Sequence, residues 1–107
     1  MKDNDNITGR RAEIDRLDDE MLRLLNRRAQ LASKLLSLKR GAGLPICDPQ
    51  RELEVICRAR ESNQGPLDDR AVEKIFRRIV YETRRAEERE NARHQNQNQT
   101  DVEGVVR

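Results

Sequence analysis

From Ile14 onward, apolar side chains fall at Ile14, Leu17, Met21, Leu24, Leu31, Leu35 and Leu38. The steps alternate between three and four residues, as in a heptad seam, with a polar residue filling the gap at position 28. A second stripe beside it carries Leu22, Leu25, Ala29, Ala32 and Leu36. No Gly or Pro interrupts the chain between Arg10 and Arg40, and strong helix formers dominate it. The pattern predicts one long helix from about residue 8 to about residue 40. Gly41 and Gly43 end it, and Pro45 prevents its resumption.

Asp48-Pro49 reads as an N-cap followed by proline at the first helical position. A short helix to about Asn63 is predicted from there, with Leu53, Ile56 and Cys57 on one face, until Gly65-Pro66 breaks it. Asp68 is the next cap, and Leu67 against Val72 would form a hydrophobic staple. The third helix, of medium length, points Val72, Ile75, Phe76, Ile79 and Val80 inward and runs to about Ala92. The polar run His94 to Gln99 follows, so residues 93–107 are expected to be a disordered tail. Residues 1–6 are expected to be disordered as well, which leaves an all-α domain over residues 7–92 with no internal repeat.

The first helix has consequences beyond its own length. At ~1.5 Å per residue it would run roughly 45–50 Å. A compact domain of this size has a radius of gyration of only about 13 Å. The rest of one chain cannot cover its apolar faces; a second copy can, and a two-fold dimer is the commonest arrangement. Composition agrees. With 35% hydrophobic and 39% charged residues, one chain alone would have a thin core. Three helices per chain in a homodimeric helical bundle is the arrangement expected.

Other features exclude function classes. Basic residues number 22 against 20 acidic, and they are spread through the helices, which is no footprint for nucleic acid. Cys47 and Cys57 have no metal-binding spacing and read as reduced, packed thiols. His94, the only histidine, lies in the tail, so neither a His-based triad nor a His-rich metal site is expected. No metal or cofactor is called for. No stretch approaches the ~18 apolar residues of a membrane span, nor does an apolar leader follow Met1; the protein is expected in the cytoplasm.

What interrupts the apolar faces is informative. Arg28 occupies the seam between Leu24 and Leu31, and Lys39 lies at the end of the second stripe. Thr83 and Glu87 continue the inward face of the third helix one turn apart. Arg51 and Glu52 sit beside the cap of the short helix. A buried charge needs a partner. For Arg28 alone, a structural ion pair with Glu87, or a polar seam residue fixing dimer register, explains as much as a ligand does. For the whole set a ligand is the better account: three bases with one Thr and two Glu suit a small polyanion, whose carboxylates match arginine forks.

These residues carry a resemblance. Arg11-x-x-Ile14-Asp15-x-x-Asp18, followed by Leu24-Leu25-x-x-Arg28, is similar to the first helix of the all-helical (type II) chorismate mutases. Lys39 follows at the family's spacing, and Asp48-x-x-Arg51-Glu52 resembles its second-helix signature. Ile75-Phe76-x-x-Ile79-x-x-Glu82-Thr83-Arg84 resembles the third. The resemblance implies an isomerase converting chorismate to prephenate, as a cofactor-free intertwined dimer with two equivalent pockets. It implies that Arg28, Arg51 and Thr83 hold the substrate's carboxylates, and that Arg11, not its neighbour Arg10, enters from the partner's first helix. Asp48, through its backbone, and Glu52 would take the ring hydroxyl; Lys39 and Glu87 would address the ether oxygen of the breaking bond.

Position 87 departs from much of the family, in which many bacterial members carry Gln. Glutamine donates a hydrogen bond at any pH, glutamate only when protonated. The rate is therefore expected to fall as pH rises. Two rivals are an isochorismate-pyruvate lyase or amino-chorismate mutase of the same fold, and a helical dimerisation module without catalysis. The Asp48-to-Glu52 signature favours the mutase over the first. The second leaves Lys39, Arg51 and Thr83 unexplained.

Overall fold

The computed structural model describes the backbone of residues 2–106 and the side chains of residues 6–96. It is all-helical: α1 spans Lys2–Ala42, α2 Pro49–Ser62 and α3 Asp69–Val106. Both long helices overrun the lengths expected from the apolar pattern. The backbone is helical from Lys2 and continues past Ala92 to Val106, through segments expected to be disordered. Apolar periodicity stops at those points, but no Gly or Pro stands between Leu67 and Asp101 to stop a helix already nucleated. Extending a helix costs far less than starting one. The side chains of residues 1–5 and 97–107 lie outside the described residues.

The turns are built by the residues expected to build them. At the end of α1, Gly43 takes a positive φ of 69°, which L side chains rarely adopt. Leu44 N donates to Lys39 O at 2.9 Å and Gly43 N to Arg40 O at 3.2 Å, the paired bonds of a Schellman motif. Asp48 caps α2, its carboxylate accepting from Arg51 N at 3.1 Å, with Pro49 next. Asp68 caps α3 in the same way, accepting from Ala71 N at 2.7 Å. Between them Asn63 ties the loop, donating from Nδ2 to Leu67 O at 2.8 Å and to Asp69 Oδ1 at 2.9 Å. Each aspartate satisfies an amide that has no partner inside its helix. Asp68→Ala should therefore lower unfolding stability by about 1 kcal/mol, read as a drop in the denaturant midpoint at unchanged slope.

The chain divides into two compact units, Met1–Leu31 and Ala32–Arg107. The first consists of α1 alone. Its apolar side chains Ile14, Leu17, Met21, Leu22, Leu24, Leu25 and Leu31 all remain exposed, and none of its described side chains is buried. The second unit comprises the last turns of α1 with α2 and α3. Its buried apolar side chains are Leu36, Ile56, Val72 and Val80. Leu35 and Leu38, the last seam residues, are exposed here too, Leu38 by 70%.

Two expectations about inward faces need correction. On α2, Ile56 is buried, but Leu53 and Cys57 are exposed. The residues that share Ile56's covered side are Glu52, Val55, Ala59 and Asn63, each half-buried. The apolar periodicity of α2 marked two surfaces meeting at Ile56, and within the chain only the smaller, more polar one is covered. On α3, Val72 and Val80 are buried and Phe76 and Ile79 half-buried, whereas Ile75 stays nearly half exposed. Of the expected staple, Val72 is buried and Leu67 more than half exposed.

Candidate active site

Six of the eight candidate residues, Lys39, Asp48, Arg51, Glu52, Thr83 and Glu87, belong to the second unit. Arg11, exposed, and Arg28, half-buried, lie on α1 in the first.

Lys39 occupies the last turn of α1, where a cation is favoured by the helix dipole. The reversal at Gly43 brings the chain back, so that Lys39 Nζ donates to Ile46 O at 3.4 Å and is left half-buried. The neighbouring turns of α1 are fixed to α3 by polar contacts. Ser33 Oγ donates to a Glu90 carboxylate oxygen, and Arg40 Nε donates to Asn91 Oδ1 at 3.1 Å. Thr83 and Glu87, on the same side of α3 as Glu90 and Asn91, are half-buried as expected. Thr83 donates its hydroxyl proton to Ile79 O at 2.8 Å, a back-bond within its own helix.

The first turn of α2 distributes its roles. Asp48 caps the helix through one carboxylate oxygen, and its backbone carbonyl accepts from Glu52 N at 3.2 Å. Arg51 is exposed and pairs only loosely with Glu54, at 3.5 Å, one turn along the surface. Glu52 is mostly covered and is held by Arg84 of α3. The guanidinium reaches both carboxylate oxygens through Nη2, and Nε donates to Oε2 at 3.2 Å. The hydrogen bonds to Glu52, then its charge, raise the Arg84 pKa above the ordinary arginine value, with desolvation opposing weakly. This partner of Glu52 was not found by sequence reasoning. The two residues are 32 positions apart on different helices, and no local pattern links them.

Among the described residues, no group of three or more His, Cys, Asp and Glu side chains is placed to hold a metal ion. No described helix is long and apolar enough to cross a membrane.

Comparison with known proteins agrees with this architecture. The sequence pattern of the family described as chorismate mutase type II matches residues 10–88. A bifunctional chorismate mutase/prephenate dehydratase of Neisseria gonorrhoeae is 44% identical over 72 residues, covering 67% of this chain but 19% of that protein. A chorismate mutase of Methanocaldococcus jannaschii is 32% identical over 71 residues, covering 65% of this chain and 72% of the relative. In three dimensions, chorismate mutase form II from Thermus thermophilus superposes with a TM-score of 0.75 at 37% identity, over 78% of this chain and 96% of that one. The class is thus the all-helical fold of the type II chorismate mutases. The chain belongs to the type II chorismate mutase family, and it spans about a fifth of the length of the bifunctional relatives it matches.

Proposed function

We propose that the chain rearranges chorismate to prephenate as a cytoplasmic homodimer, by electrostatic preorganisation and without a cofactor. The observation that carries this reading is the ordered set Arg11, Arg28, Lys39, Asp48, Arg51, Glu52, Thr83 and Glu87 inside the family match. Half-burial of Lys39, Glu52 and Glu87, with the Thr83 hydroxyl, supports it, since covered charged and polar groups suit a ligand better than a solvated helix face. The dimer is supported by the row of exposed leucines along α1, which one chain leaves in water.

A Claisen rearrangement moves electrons within one molecule, so no nucleophile or general base is needed. The substrate must be folded until its reacting carbons meet, and this is an orientation effect. Arg11, Arg28 and Arg51 would fix its two carboxylates. Thr83 would help by exchanging its back-bond for one to substrate, as a hydroxyl can rotate to do. The backbone of Asp48 and the Glu52 carboxylate would take the ring hydroxyl. As the ether bond lengthens, charge grows on its oxygen, where the Lys39 ammonium and a protonated Glu87 would stabilise it.

The test is the ultraviolet absorbance of chorismate on adding purified protein, over a pH series, with isochorismate in parallel. Prephenate should form, and kcat should fall as pH rises, because only protonated Glu87 donates a hydrogen bond. Glu87→Gln should remove that dependence, since an amide donates at every pH. An unchanged profile in the variant would refute the role given to Glu87. Turnover of isochorismate alone would make the protein a lyase, and turnover of neither would leave a binding module.

A further inference from the structure

Glu52 is a flexible side chain asked to present an acceptor in one place. Unheld, a glutamate in the first turn of an exposed helix samples several rotamers, and ordering it on binding costs free energy. Here the planar fork of Arg84 grips both carboxylate oxygens from α3. Such a grip fixes direction as well as charge. An ionised carboxylate has about four acceptor positions, so lone pairs remain for a second donor after the fork is satisfied. Arg84 directly follows Thr83, so one turn of α3 both presents Thr83 and anchors Glu52 of α2. The other groups that act on Arg84 are weaker: Cys47, then Glu88 one turn along α3.

We infer that Arg84 is a positioning residue: it holds the Glu52 carboxylate in place for the substrate's ring hydroxyl and balances its charge beside a dianionic substrate. This rests on the function proposed above. A purely structural strap is the competing role, and exposure argues against it. The Arg84 side chain is 49% exposed, and an ion pair so open to water adds little to stability.

The experiment is a double-mutant cycle on the full chain, read as kcat/KM for chorismate together with the thermal midpoint. Arg84→Ala should lose about tenfold in kcat/KM with little change in midpoint. Arg84→Lys should recover only part of the loss, because an ammonium restores charge but not the fork. Adding Arg84→Ala to Glu52→Gln should then cost nothing further. A loss of equal size in both backgrounds, or kcat/KM within about twofold of wild type in Arg84→Ala, overturns the inference while the mutase assignment stands. An inactive wild-type protein, seen before any variant is made, overturns both.

Discussion

Replacing Lys39 with alanine should reduce chorismate turnover by roughly two to three orders of magnitude while the protein stays folded and helical. The two halves of this expectation have one cause. Lys39 is half-buried at the end of α1, and its single described contact is a long one, to the Ile46 carbonyl at 3.4 Å. A cation kept partly out of water with so little to hold it contributes little to folding, and its removal relieves a desolvation cost. In the proposed reaction the same ammonium meets charge that exists only as the ether bond breaks, so its loss falls on kcat more than on KM. Arginine is no substitute: its broad fork cannot act as a compact point charge in the same space. Single-turnover kinetics beside a thermal unfolding curve check both halves. Wild-type kcat in Lys39→Ala would remove Lys39 from the chemistry, and a collapsed midpoint would make it a structural residue.

Local rules made most of the helical framework readable in the sequence. Gly43, Asp48-Pro49 and Asp68 act on amides and carbonyls within a few residues of themselves, so a turn can be read without knowing what packs on it. The faces were harder. Periodicity reports which residues want cover, not which neighbour provides it. On α2, Leu53 and Cys57 share the apolar pattern with Ile56, yet α3 and the rest of the chain cover the side bearing Glu52 and Ala59 instead. Helix ends were missed for a related reason: the apolar pattern of α1 and α3 stops before their hydrogen-bond ladders do.

The candidate residues could be picked out one by one in the sequence, but not the contacts that hold them. Lys39, Thr83 and Glu87 were found as polar intrusions on covered faces, a signal that lies in the sequence. Arg84 intrudes on nothing. It is a basic residue on a helix already rich in them, and only the fold brings it to Glu52. Positioning residues of this kind are systematically hard to read from sequence, because their partner is set by tertiary packing rather than by spacing.

Mixing two inactive variants should restore activity, and this outcome separates a shared site from a self-contained one. Arg11→Ala and Arg51→Ala should each lose about a hundredfold or more, since each removes a charge-assisted contact to the substrate. Arg11 is exposed on α1, on the stripe of Leu22 and Leu25 that runs beside the uncovered seam of Ile14 and Leu17. If a second copy covers that seam, Arg11 travels with it into the other chain's pocket. Unfolding the two variants together and refolding them gives mixed dimers in about half of the population. In each mixed dimer one pocket carries both defects and the other carries neither, so activity per chain should return to about a quarter of wild type. If Arg11 instead served the pocket of its own chain, every pocket in the mixture would keep one defect and nothing would be recovered. A chain that worked alone would give the same silence, and sedimentation equilibrium would tell the two apart. Recovery would establish at one stroke that α1 pairs between chains and that its exposed leucines are one half of an active dimer's core.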